Sequence, residues 1–225
     1  MKKPTFILFW LQIITCVIIG KAQSFITLDG SQVFSNFRFS NSEGVVDKSY
    51  SSVASGGYSL GYRGYQKASG SKEGKRFGAF FLRGSIGMRR GGSTLFYNNS
   101  NISWNLQYCD LRVGGGYEID KWRIKPYFSV TPYYSVLIKG YQTMDGLNYD
   151  VKKDKTIKNS DAGVLIVPGV KAFISDYISI YTEFSYLLGL QNLEAKTGQK
   201  LNNRGYFLTL GLAVTITKSK PTWLQ

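Results

Sequence analysis

The chain has no histidine, and only two cysteines and five prolines in 225 residues. The missing histidine excludes Ser–His–Asp hydrolysis, Cys–His proteolysis and His-ligated zinc or haem. Two cysteines are too few for a thiolate metal cage, and no cofactor is expected. Acids are scarce: 14 stand against 28 Lys and Arg, a formal net charge of +14. Long apolar runs are scarce too. Beyond residue 22 the longest covers residues 162–170 and contains Pro168 and two glycines, well short of the roughly 20 residues a spanning helix needs. Aromatic residues and glycine are abundant: 16 Tyr, 14 Phe and 25 Gly. That composition argues against disorder and coiled coil and suits an all-β chain rich in turns.

Residues 1–22 read as a cleaved signal peptide. Lys2 and Lys3 form a positive start, residues 6–19 an apolar run, and Gly20, Lys21 and Ala22 a small-x-small cleavage site. The run is too short for a retained anchor. Cys16 lacks the small residues before it that lipidation would want. Cleavage removes Lys2, Lys3 and Lys21 and no acid, taking the net charge from +14 to +11. Cys109 is then alone and has no disulfide partner.

The remaining chain alternates. Tyr206, Leu208, Leu210, Leu212, Val214 and Ile216 are apolar, and small or polar residues mostly separate them. The same period of two runs through Ile178–Leu188, Val164–Ile174, Trp122–Lys139 and Phe80–Arg89, and more weakly through Phe25–Asn36 and Tyr50–Tyr65. In Asn101–Tyr117 the apolar parity switches near Tyr108, which suggests a bulge. Eight strands of this length exceed the usual five or six residues and match tilted membrane-crossing strands. Tight connections are expected at residues 118–121 and 175–177. Long ones are expected at residues 37–49, 90–100, 140–160 and 191–204, with residues 66–76 an exceptional long link on the tight side. The fold predicted is an eight-stranded antiparallel up-and-down transmembrane β-barrel over residues 23–217, followed by a tail at 218–225. An even strand count puts both termini on one rim, facing the periplasm of a Gram-negative outer membrane.

The apolar parity is nearly free of charge, and charges of both signs share the other. A lipid-facing wall and a narrow interior crossed by ion pairs fit this best; a soluble lipocalin-like barrel would have the reverse polarity. Arg83, Asp110, Arg112, Arg123, Lys171 and Glu183 are therefore predicted to point inward and pair across strands, as a structural lumen network. Trp104, Tyr108, Tyr117, Trp122, Tyr133, Tyr141, Tyr177 and Tyr206 suit interfacial girdles.

In layout the chain resembles the PorT-like family of small outer-membrane β-barrels. The supporting segments are Ile26–Gly30, Asn105–Leu111, Lys125–Phe128, Asp161–Gly163, Tyr186–Asn192 and the terminal strand Phe207–Ile216. Arg112 stands where that family commonly has a proline. The resemblance implies an eight-stranded outer-membrane barrel. One namesake is associated with type nine secretion and gliding machinery, and most members have no assigned role.

The Gly114–Gly116 cluster lacks a following helix and a Lys–Ser/Thr pair, so it reads as space for large neighbours on a barrel face, not as a phosphate cradle. Lys152, Lys153, Lys155 and Lys158 form a basic loop, either simply solvated or anion-binding, with lipopolysaccharide phosphate the obvious partner. Nucleic acid is not expected, because the basic charge is spread among strands without a stacking platform. No enzyme is expected. The functional reading is a structural or interaction protein, partnered by outer-membrane lipid, lipopolysaccharide and a possible envelope protein, within reach of a secretion assembly. The alternatives are a small-ligand or narrow-transport barrel and a soluble lipocalin-like binder.

Overall fold

The computed structural model describes residues 23–65, 78–97, 100–120, 122–194 and 199–217. The proposed signal peptide, the C-terminal tail and the link at 66–76 lie outside them. Ten strands run in order: β1 (Ser24–Ser40), β2 (Val46–Asp47), β3 (Tyr50–Tyr65), β4 (Gly78–Tyr97), β5 (Ser100–Ile119), β6 (Ile124–Met144), β7 (Leu147–Asp150), β8 (Ser160–Phe173), β9 (Ile178–Gly189) and β10 (Lys200–Thr217). Eight are staves. The short β2 and β7 pair only with the upper ends of β1 and β6. Each stave pairs antiparallel with its sequence neighbour, and β10 pairs with β1 along Ser24–Ser40. The sheet is therefore a closed up-and-down barrel with no free edge.

The registers fix its geometry. One outward row passes from Ala162 through Tyr134, Leu111, Ile86, Leu60, Leu28, Leu212 and Ile180 and returns to β8 at Ala172, ten residues from where it began. Eight strands with a shear of ten tilt by roughly 40° and leave an interior that side chains fill. Every residue in that row is apolar or aromatic.

Polarity is inverted relative to a soluble barrel. Leu28, Leu60, Ile86, Leu111, Phe128 and Leu210 are all more than half exposed, and they belong to a continuous belt. Water-soluble monomers rarely expose apolar patches beyond a few hundred Å². Inside, Arg63, Asp110, Asp161 and Lys171 are almost wholly buried. This is the wall and lumen of a transmembrane barrel, as the alternation predicted, and not of a lipocalin-like one. Leu210 stands near the middle of the belt at 69% exposure. Leu210→Arg is expected to destabilise the barrel in vesicles by about 2–4 kcal/mol, measured by urea unfolding, whereas Leu210→Ala shifts the midpoint far less.

Glycines accommodate rings of their cross-strand partners. A Cβ on Gly211 would stand 2.3 Å from Cζ of Tyr181, and one on Gly116 would stand 2.5 Å from Cζ of Phe81. Gly116 thus gives space to a large neighbour, as the sequence suggested for its cluster.

The upper connections differ from expectation. Residues 90–97 and 100, taken as connection, are strand: β4 runs to Tyr97 and β5 starts at Ser100. β1 extends to Ser40, and β10 begins at Lys200, inside the region taken as connection. The staves keep their hydrogen-bond ladder beyond the belt, where alternation fades because both faces no longer divide lipid from lumen. The turn at residues 41–45 is closed by Asn41, whose Oδ1 accepts hydrogen bonds from the N–H of Glu43 and Val45, with Gly44 at φ +82°. At the opposite rim, the tight turn after Ile174 forms as read: Ser175 Oγ accepts from the N–H of Tyr177 and Ile178.

The bulge is in β6, not β5. Gln107 pairs with Lys139 and Tyr108 with Leu137, so Ile138 is the extra residue. Inward parity stays even throughout β5, from Leu106 through Tyr108, Asp110 and Glu118. In β6 it changes from odd at Leu137 to even at Gly140. The apparent switch in β5 reflects a change in what fills the lumen, apolar above and charged below.

Candidate functional site

The interior is stacked in tiers. Nearest the rim where β1 begins and β10 ends, Phe25, Tyr65, Phe81, Tyr127 and Tyr181 form an aromatic layer. Within it Lys171 Nζ lies 2.7 Å from Glu118 Oε2 and donates to the Tyr65 hydroxyl at 2.6 Å. Tyr65 in turn donates to Glu118 at 2.5 Å.

The next tier centres on Glu183. Arg83 holds it in a fork, Nη1 to Oε1 at 2.7 Å and Nη2 to Oε2 at 3.2 Å. Arg63 Nη2 adds a contact at 3.1 Å and the Tyr127 hydroxyl donates at 2.7 Å. Arg63 is 2% exposed. The rings of Tyr127, Phe81 and Tyr181 lie 4.5, 4.9 and 5.2 Å from its Cζ, so cation–π attraction replaces part of its lost hydration. Asp29 accepts from Ser59 and Tyr181, each at 2.8 Å.

Above this, Arg89 bridges two acids. Its Nε stands 2.9 Å from Asp110 Oδ2 and its Nη2 3.2 Å from Asp161 Oδ2. Arg112 reaches Asp110 at 2.7 Å. Ser135 donates to Asp110 at 2.7 Å, while Tyr133 and Asn203 donate to Asp161 at 3.0 and 2.7 Å. Between the two tiers lies a polar cavity with room for about one water molecule, lined by Asp29, Arg83, Arg112, Thr131 and Glu183 among others.

The top of the lumen is closed by an apolar cap. Phe37, Leu106, Tyr108 and Leu137 from the staves meet Val151 and Ile157 from the link between β7 and β8, and Leu193 and Leu201 from the β9–β10 end. Phe39, Tyr50 and Trp104 pack against it. The link is pinned by backbone bonds as well, Leu137 N–H to Asn159 O and Lys158 N–H to Leu193 O, both at 2.8 Å.

Arg83 and Glu183 thus meet each other, Asp110 meets Arg112 and Arg89, and Lys171 meets Glu118. Arg123 does not join them: it lies exposed in the bend before β6, because that strand begins only at Ile124. Asp29, Arg63 and Arg89, which lie on the polar parity of their strands, join the set, as do Glu118 and Asp161, which the alternation did not pick out. Among the described residues these tiers hold five cations and five carboxylates, Arg63, Arg83, Arg89, Arg112 and Lys171 against Asp29, Asp110, Glu118, Asp161 and Glu183, while Lys125 pairs with Asp120 at the lower mouth. Of the aromatics read as girdle residues, Tyr117, Trp122, Tyr141, Tyr177 and Tyr206 are exposed, but Tyr108 and Tyr133 are buried in the lumen and Trp104 packs on the cap. Lys152, Lys153, Lys155 and Lys158 are all exposed. Asp150 Oδ1 accepts the N–H of Lys152 and Lys153, and Lys155 takes a positive φ of 50° to close the turn.

No family model matches the chain, and no curated protein matches it. Solved structures do. The chain is similar to Ail, the attachment invasion locus protein of Yersinia pestis, at 14% identity, covering 87% of this chain and 99% of that one with a TM-score of 0.46. It is similar to Neisserial surface protein A at 14% identity, covering 85% and 96% with a TM-score of 0.46. It is also similar to the outer membrane protein OprG of Pseudomonas aeruginosa at 9% identity, covering 88% and 98% with a TM-score of 0.48.

Proposed function

We propose that the chain is an outer-membrane barrel of a Gram-negative bacterium that works as a structural or interaction protein through its upper loops, without catalysis. The observation that carries this is the filled lumen. Ten mutually neutralising side chains and an apolar cap occupy it, so the barrel is a rigid support whose loop surfaces lie at its ends. Known charge costs favour an interior in which each buried ion has a partner. The carboxylates are held by arginine, lysine or tyrosine, which suits structure better than acid–base chemistry. The termini belong on the periplasmic rim, where the turn after Ile174 is tight, and the elaborated rim faces outward. The finer reading, a component of a secretion assembly with an envelope protein as partner, rests on the sequence resemblance to PorT-like barrels alone. The basic loop Lys152–Lys158 belongs to the outward rim on this reading.

In planar bilayers the protein is expected to give no large, stable single-channel conductance. Blue-native electrophoresis of gently solubilised membranes is expected to show a defined complex, lost when residues 145–159 and 190–199 are replaced by short glycine–serine links. A stable large conductance, or a small molecule retained stoichiometrically in the lumen, overturns the reading in favour of transport or ligand binding.

A further inference from the structure

The outward charges of the staves have one sign. Every stave carboxylate, Asp29, Asp110, Glu118, Asp161 and Glu183, faces the lumen. The outward-facing charged residues of the eight staves are Arg38, Arg90, Lys139, Lys200 and Arg204, all basic and all in the upper half of their strands. Two members of this set converge across one strand. Arg90 on β4 pairs with Gln107 on β5, and Gln107 pairs with Lys139 on β6. These are direct cross-strand neighbours, with Cβ atoms about 5 Å apart at each step. The β6 bulge makes the row possible, because it leaves both Ile138 and Lys139 exposed on the outer side. Lys152 comes down from the loop to the same place, its Nζ 3.4 Å from the Ile138 carbonyl. Among the described residues, none of Arg90, Lys139 and Lys152 is in an ion pair.

Height sets what this patch meets. Arg90 lies twelve residues above Gly78, the start of β4. At about 3.3 Å per residue and a tilt near 40° that is about 30 Å, against an apolar band about 25 Å tall. Directly below the row stand Met88, Cys109 and Val136, then Ile86, Leu111 and Tyr134. The cations therefore sit at the upper edge of the belt, where acyl chains give way to headgroups.

We infer that Arg90, Gln107, Lys139 and Lys152 form a site on the outer wall for the phosphate of an outer-leaflet glycolipid headgroup, a reading that rests on the membrane placement proposed above. Arginine offers a fork to two phosphate oxygens, the lysines add charge, and the Gln107 amide donates between them. The acyl chains lie on the apolar rows beneath. This places phosphate recognition on the wall and recruits Lys152 alone from the basic loop.

The test uses the full barrel in detergent, titrated with bis-phosphorylated lipid A, with dephosphorylated lipid A and with inorganic phosphate, read by native mass spectrometry. Arg90→Gln with Lys139→Gln removes two exposed charges that touch none of the lumen pairs, and heat-modifiable gel migration checks its fold. Each charge near a membrane surface contributes about five-fold in affinity, so the double variant should bind phosphorylated lipid A roughly 30-fold more weakly. Dephosphorylated lipid A should bind wild type no better than the variant. Equal binding of phosphorylated lipid A by a folded variant overturns the site. Inorganic phosphate matching the lipid in affinity overturns the lipid source. A protein that is monodisperse in water without detergent overturns both this site and the membrane reading, whereas insertion without selective binding overturns the site alone.

Discussion

Glu183→Ala should be among the most damaging single changes in the barrel. It removes the carboxylate that Arg63 and Arg83 share, at 3.1 and 2.7 Å, and leaves two guanidinium groups facing each other in a closed interior. Removing one partner of a buried pair typically costs about 3–5 kcal/mol. Urea unfolding of the protein in vesicles is expected to show a loss in that range. The combined variant Glu183→Ala with Arg83→Ala should recover part of it, since only Arg63 then lacks its acid and Arg63 keeps the rings of Tyr127, Phe81 and Tyr181. A loss below about 1 kcal/mol for Glu183→Ala, the level of a solvent-exposed pair, would mean that water reaches this tier freely.

Arg89→Met should have a comparable effect for a different reason. Methionine fills much of the volume, so the loss is electrostatic. Asp110 retains Arg112 at 2.7 Å, but Asp161 loses its cation and keeps only Tyr133 and Asn203 as donors. About 3–5 kcal/mol is again expected. Adding Asp161→Asn should restore more than adding Asp110→Asn, because Asp161 is the orphaned charge. Equal rescue by the two would show that the tier shares charge more widely than its contacts indicate. A double-mutant cycle in the same unfolding assay separates these outcomes.

Parity made the barrel legible. In β10 the alternation from Tyr206 to Ile216 has a lipid side and a lumen side without exception, and the structure keeps it. Arg63 and Arg89 lie on the polar parity of their own strands and were open to the same argument as Arg83. Glu118 and Asp161 were harder, because Glu118 lies within a segment read as a tight turn and Asp161 beside one read as a loop, yet both are swept inward by strands that run further than the belt requires. Arg123 failed in the opposite way: alternation in Trp122–Lys139 extended one turn too far back. Tyrosine defeats parity altogether. Its ring suits lipid and its hydroxyl suits a carboxylate, so Tyr206 is exposed while Tyr133 donates to buried Asp161. The cap was invisible for a physical reason. It joins Val151, Ile157 and Leu193 from separate links to Leu106 and Tyr108, and no local period encodes that meeting. The β6 bulge was not legible: the parity switch near Tyr108 reports what fills the lumen, and only the pairing of Gln107 with Lys139 and of Tyr108 with Leu137 shows an extra residue in β6.

Residues 206–216 test the inside-out barrel most directly. In a Cys109→Ser background, each is replaced by cysteine in turn, carries a nitroxide label, and is reconstituted in bilayers. Collisional accessibility to oxygen and to a water-soluble nickel complex is then measured. Residues 206, 208, 210, 212, 214 and 216 should be oxygen-accessible with a maximum near 210, and the intervening positions should be shielded from both reagents. Strong nickel accessibility at 208, 210 and 212, or loss of the period of two, would contradict a barrel that turns its apolar wall to lipid and its charges to a sealed lumen.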